Sequence, residues 1–198
     1  NGMTILDITY TTQNLIKKLR EGQIDMGILV TPLEEKGIRE DPLFYEEMMV
    51  YTSSKSALLK KDYILSKDID PDKLLLLEEG HCFRSQIINL CELRSHSYGG
   101  THFEYEAVSL ETLRRMVDTT DGITVLPELA TMGMTAKEKE RLRHFKAPVP
   151  VREVGIVTHR DFVKRKLVNA IKHSILDSIP DKLKKNASQH VVSILEHK

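Results

Sequence analysis

Cys82 and Cys91 are the only cysteines in 198 residues, and they stand nine positions apart in "GHCFRSQIINLCEL". A cysteine reacts as its thiolate, so its chemistry depends on neighbours that favour the anion. His81 and Arg84 flank Cys82 and can supply positive charge or hydrogen bonds. From Cys82 onward, Phe83, Ile87, Ile88, Leu90 and Leu93 recur at helical spacing, which predicts a helix starting near Cys82; a helix N-terminus also lowers a thiol pKa. Nine residues of helix rise roughly 13.5 Å and end pointing about half a turn away. A disulfide needs Cα atoms within roughly 7 Å, so bonding these two sulfurs requires the helix to unwind. Two covalent states would then favour two packings, as a redox switch needs, and a thiolate is the group that peroxides attack. Cys91, on a mostly apolar helix, is expected to be buried and to act as the resolving thiol.

Two other readings of the same residues stay open. Reduced, buried and chemically inert cysteines are common where the compartment keeps thiols reduced. A metal is the other reading, because His81, Cys82, Cys91, His96 and His102 offer enough ligands for zinc. The nine-residue gap, however, lacks the short Cys-x2-Cys or His-x3-His pairs of structural zinc sites.

The elements that must carry this segment alternate. "TILDITY" (Thr4 to Tyr10) predicts a strand. "TTQNLIKKLREGQID" places Leu15, Ile16 and Leu19 on one helical face and stops at Gly22. "DMGILV" predicts a strand covered on both faces, completing a βαβ unit with a parallel sheet. "DPLFYEEMMVYTSS" is apolar enough for one or two strands, and "KLLLLEE" (Lys73 to Glu79) predicts a buried strand ending just before the cysteines. Ser109 is placed to cap a helix with Leu110, Leu113, Met116 and Val117 on one face, and "DGITVLPELA" turns at Asp121-Gly122 into a strand that stops at Pro127. After "APVPV", "REVGIVTHR" predicts a strand and "DFVKRKLVNAIKHSILDSI" a helix capped by Asp161 and ended before Pro180; "DKLKKNASQHVVSILEHK" reads as a weaker helical tail. The class is α/β, with two sheets joined by crossing strands near Leu43 to Met49 and Val149 to Val157. In such sheets ligands sit beyond the carboxyl ends of strands, where "LLLLEE" leads into the cysteines.

Composition narrows the function. Lys plus Arg number 29 and Asp plus Glu 29, with pI near 7.3, so no global positive field exists to grip a polyanion. The basic run "KEKERLRHF" reads as a solvated helix face in preference to a nucleic-acid patch. No stretch approaches the roughly 18 apolar residues of a membrane span, and the first twenty residues lack a signal-peptide pattern. A cytoplasmic protein with no membrane contact is the expectation.

The run Gly-His-Cys-x-Arg, the nine-residue cysteine spacing, "THF", "SLETLR" and "GIT-x-LP" together resemble the peroxide-sensing regulatory domains of the OxyR family among the LysR-type transcriptional regulators. The resemblance extends from about Thr4 to Lys172. It implies two Rossmann-like subdomains with a cleft between them, similar to periplasmic binding proteins, here residues 1–44 with 150–198 and residues 45–149. It implies Cys82 as the thiol oxidised by hydrogen peroxide to a sulfenic acid and Cys91 as the one that closes the disulfide. His81 and Arg84 would position or activate the reacting group, and Thr12, in "YTTQN", falls where the family has a threonine that contacts peroxide. Ser85 departs from the pattern: relatives carry an aspartate after the arginine, so a hydroxyl replaces a possible proton carrier.

Further implications concern the whole regulator: a homodimer or homotetramer, DNA bound through a helix-turn-helix domain, RNA polymerase as partner, glutaredoxin or thioredoxin as reductant, and no cofactor. Neither that DNA-binding domain nor the family's first strand-helix unit precedes "MTILDITY", so a regulatory-domain fragment is expected. The resemblance makes the chain a sensor, not an enzyme. Its rivals are a LysR-type effector domain that binds a small metabolite, with incidental cysteines, and a thiol peroxidase.

Overall fold

The computed structural model describes residues 11–78, 82–91, 106–107, 109–184 and 190–192. The predicted strand at Thr4 to Tyr10 lies outside them, as do His81, His96 and His102.

The chain opens with helix α1 (Thr12–Arg20), capped by Thr11, whose side chain accepts from the Asn14 amide at 3.4 Å. Gly22, at φ 67°, turns the chain out of it, a left-handed conformation that glycine adopts without a Cβ clash. Strand β1 (Met26–Thr31) leads to the 15-residue strand β2 (Ile38–Thr52). Pro42 sits inside β2, and the pairing register shifts between Pro42 and Phe44. Proline has no N–H to give the ladder, so a bulge is where a long strand tolerates it. The short β3 (Leu76–Leu77) precedes helix α2 (Cys82–Leu90); β4 (Glu106–Ala107), helix α3 (Leu110–Thr119) and β5 (Ile123–Pro127) follow. Then come α4 (Ala136–Lys139), β6 (Leu142–His144), β7 (Pro150–His159), α5 (Arg165–Ser178), α6 (Asp181–Lys184) and β8 (His190–Val191).

The architecture is α/β, with Rossmann-like halves joined by two crossing strands. The larger sheet has the order β1-β7-β2-β5, with β6 on β2 and β8 on β7; a second sheet pairs β3 with β4 in parallel. The long β2 and β7 run antiparallel from Ile38↔His159 to Glu47↔Val151, which is the pair of crossings predicted near Leu43 to Met49 and Val149 to Val157.

Alternation along β7 decides which helix covers which face. Ile156 and Val154 pack with Val168 of α5, and Val157 packs with Leu15, Ile16 and Leu19 of α1. Each such side chain contributes roughly 1.5–3 kcal/mol by leaving water, so α1 and α5 are held by the sheet they cover. The largest core lies beyond, where Met48, Val50 and Tyr51 of β2 meet Val125 of β5, Leu113 of α3, and Phe83 and Ile87 of α2.

Several expectations change. Strand β1 leaves Ile28 54% exposed, so it is not covered on both faces; it pairs antiparallel with β7, and the parallel pairing expected with Thr4 to Tyr10 falls outside the described residues. Lys164, not Asp161, is the N-cap residue of α5, and it makes no side-chain cap bond; Asp161 stays in the preceding turn, its amide donating to His159 Nδ1 at 3.3 Å. Among the described residues of the tail, Asp181–Lys184 form a short helix and His190–Val191 form β8, because the edge of β7 at Pro150 and Val151 offers unpaired backbone groups. "KEKERLRHF" splits between α4 and β6, with Arg141 paired to Asp118 at 2.6 Å and Arg143 donating to the Leu59 carbonyl at 2.6 Å. None of the described helices is long and apolar enough to cross a membrane.

Candidate functional site around Cys82

Cys82 is the first residue of α2 and Thr12 the first residue of α1, and the two helix starts meet. Thr12 Oγ1 and Cys82 Sγ share a hydrogen bond across 70 positions of sequence. The local chemistry explains why Thr12 is available: Thr11 takes the capping role, leaving the next hydroxyl to face outward from the helix start. Both partners are partly buried.

Arg152 of β7, whose charge acts on the Cys82 thiol, holds its guanidinium 5.1 Å from the centre of the Phe83 ring. The register of the crossing strands sets Arg152 directly opposite Glu46. Arg152 Nε and Nη2 each reach Glu46 Oε1 at 2.6 Å, and Glu46 Oε2 accepts from the Leu129 amide at 3.0 Å. Glu46 is fully buried, so its charge depends on that fork and amide. The pair holds in place the guanidinium whose charge acts on Cys82.

Burial pushes the Cys82 thiol pKa up. The Thr12 hydrogen bond, the residue's own backbone N–H and the charge of Arg152 pull it down without cancelling that rise. The sequence predicts a lowered pKa; desolvation outweighs the helix start in the folded protein. Chemically, the site holds a buried thiol beside a hydroxyl and within reach of a cation, both of which favour its anion. A small neutral electrophile able to enter such a space would meet a nucleophile stabilised as it forms.

The other predicted residues fall at different distances from this contact. Arg84 Nη1 donates to the Leu77 carbonyl at 2.8 Å, tying the start of α2 to the end of β3. Among the described residues, the cation acting on the thiol is Arg152. Ser85, one helical turn on from Cys82, shares its face of α2 and is partly buried. Cys91 follows the last turn of α2, its amide donating to the Ile87 carbonyl at 3.0 Å. The helix is therefore continuous between the cysteines, and both are free thiols. Burial alone raises the Cys91 pKa to about 12. His81 lies outside the described residues, as does the loop from Glu92 to Gly100.

Arg152 and Glu46 escaped the sequence reading. The signal was two opposite charges, in "FYEEMMV" and "PVREV", set in apolar strands predicted to cross. What was missing is the register that aligns them.

Residues 6–179 match the LysR substrate binding domain family. The chain is 34% identical over 146 residues to the DNA-binding transcriptional dual regulator OxyR of Escherichia coli K12, covering 74% of this chain and 47% of that protein. It is 30% identical to a hydrogen peroxide-inducible genes activator of Haemophilus influenzae, covering 74% of this chain and 48% of that protein. The chain thus spans about half the length of these curated relatives. Among solved structures, OxyR from Porphyromonas gingivalis superposes with a TM-score of 0.80 at 32% identity, over 93% of this chain and 83% of that one. The reduced OxyR regulatory domain from Pseudomonas aeruginosa gives 0.71 at 34% identity, over 84% and 79%. On sequence match and fold together, the chain belongs to the LysR substrate-binding domain family, in its OxyR branch, with the periplasmic-binding-protein-like fold of those regulatory domains.

Proposed function

We propose that this chain is the peroxide-sensing regulatory part of a bacterial transcription activator, and that Cys82 is the thiol hydrogen peroxide oxidises. The Cys82 thiolate attacks one peroxide oxygen and the O–O bond breaks. Water leaves carrying the thiol proton, and Cys82 becomes a sulfenic acid, oxidised by two electrons. The Cys91 thiolate then attacks that sulfur, the S–O bond breaks, and a second water leaves as the Cys82–Cys91 disulfide forms. Thr12 holds the nascent thiolate or a peroxide oxygen, with Ser85 and His81 as further positioning groups and Arg84 as an anchor of α2.

The observation that carries this reading is the Thr12–Cys82 contact at the start of a continuous helix that ends at Cys91. About nine residues of helix separate the sulfurs by far more than a disulfide spans, so closure unwinds α2. We divide the chain into residues 1–44 with 150–198 and residues 45–149, and assign the movement to the second unit. In the full regulator, the change would re-pack a homodimer or homotetramer and reset DNA and RNA polymerase contacts in the cytoplasm. Glutaredoxin or thioredoxin would restore the thiols; without such a reductant each chain reacts once, so the protein acts as a sensor and not as a peroxidase.

Intact mass with thiol alkylation, before and after one equivalent of hydrogen peroxide, tests this on wild type and Cys91→Ser. Loss of two alkylatable thiols in wild type, and one added oxygen in the variant, is expected. Retention of both thiols at that dose would sink it in favour of a metabolite-binding effector domain.

A further inference from the structure

One of the three residues that α2 buries is polar. Gln86 is fully buried, and its Nε2 donates to the Val192 carbonyl at 2.7 Å, 106 positions away. Its Oε1 has no partner among the described residues. Removing the Nε2 donor would leave the carbonyl of buried Val192 without it, at a cost larger than the net worth of the bond, so the bond is a specific tie. Val192 is the far end of a clamp: its amide donates to the Val151 carbonyl at 2.8 Å, and β8 pairs in parallel with β7 just before it. Its side chain is 4% exposed and belongs to the same core cluster as Phe83 and Ile87 of α2.

We propose that residues 190–192 are a latch on the redox helix, docked when the cysteines are thiols and released when they join. The inference rests on the peroxide-sensing reading above. Gln86 lies between Cys82 and Cys91, so a disulfide that unwinds α2 must pull Gln86 off Val192 and strip Phe83 and Ile87 from around it. Coupling of this kind is reciprocal: an engaged latch favours the dithiol, and a broken one favours the disulfide. Gln86 is therefore a positioning residue, acting on the two sulfurs through the fold of α2. The same movement uncovers the β7 edge at Pro150 and Val151, which makes the C-terminal segment a second output of oxidation.

Two measurements on the full chain test this. In wild type, hydrogen exchange at the Val192 amide should be slow in the dithiol form and at least tenfold faster in the disulfide form. In Gln86→Leu, the dithiol–disulfide equilibrium against a glutathione buffer should shift tenfold toward the disulfide, about 30 mV. A structural role alone would lower stability without moving that potential in this direction. A disulfide that forms in wild type with Val192 exchange unchanged overturns the latch and leaves the sensor standing, whether or not the variant folds. A variant that folds with its potential unmoved also overturns the latch. Failure of any disulfide to form overturns both.

Discussion

Thr12→Val is the sharpest perturbation of the proposed chemistry, because it removes one hydroxyl and little else. Thr11 remains to cap α1, and valine in place of threonine at the first helical position changes propensity by only a few tenths of a kcal/mol. The lost interaction is the hydrogen bond to Cys82 Sγ. Bonds to ionised groups contribute about 1.5 kcal/mol at the low end, which is roughly tenfold in the thiolate population at any pH below the midpoint. A less acidic thiol is intrinsically more nucleophilic, with a Brønsted coefficient of about 0.4–0.5, and this offsets nearly half of the loss on a logarithmic scale. The net expectation is a fall of about threefold in the second-order rate with iodoacetamide at neutral pH. The peroxide rate falls further if Thr12 also orients the peroxide oxygen. The assay is a pH series of Cys82 alkylation in a Cys91→Ser background, with Thr12→Ser as the conservative control. The midpoint should move to higher pH for valine and return for serine. Identical profiles for valine and wild type would refute the assignment of Thr12 as a group acting on the thiol.

Two more outcomes follow from burial. The Cys91 thiol has a folded pKa of about 12 against an ordinary value of 9.0. Its contribution to stability is therefore complete below pH 9 and is lost as pH rises toward 12, because only the unfolded thiol ionises there. The slope is at most about 1.4 kcal/mol per pH unit, and urea unfolding of Cys91→Ala across that window should be flatter than wild type. Arg152→Met should cost about 3–5 kcal/mol by leaving Glu46 buried and unpaired, and Glu46→Gln added to it should restore much of that. Cys82 alkylation at neutral pH should stay slow in both variants, since neither regains the cation beside the sulfur.

Most of the frame was legible from pattern alone. Helical spacing of Leu15, Ile16 and Leu19 and of Phe83 and Ile87 marks α1 and α2, and Ser109 announces the start of α3. Family resemblance singled out Thr12 as a peroxide-contacting residue, but its hydrogen bond to Cys82 was not legible, since nothing local ties positions 70 apart. Arg152 was invisible because its role depends on strand register, a property of two segments at once. The direction of the Cys82 pKa was misjudged because flanking residues are readable and desolvation is not: it depends on how much protein covers the sulfur. The tail was read as helical, whereas His190 and Val191 pair with the edge of β7, a partner that local pattern does not show.

The pairing of β1 and β2 with β7 also governs how the chain can be made. Residues near position 40 wait for partners near position 157, so a ribosome must deliver more than a hundred further residues before the central sheet can close. Closing a loop of that length costs entropy before any contact returns it. Until then, β2 has bare edges, and the charges within its first half, Arg39, Glu40 and Asp41, discourage association of the nascent chain with its neighbours. Completion of the sheet is a late event in synthesis, and residues 190–192, which bond to α2, arrive only after both long strands.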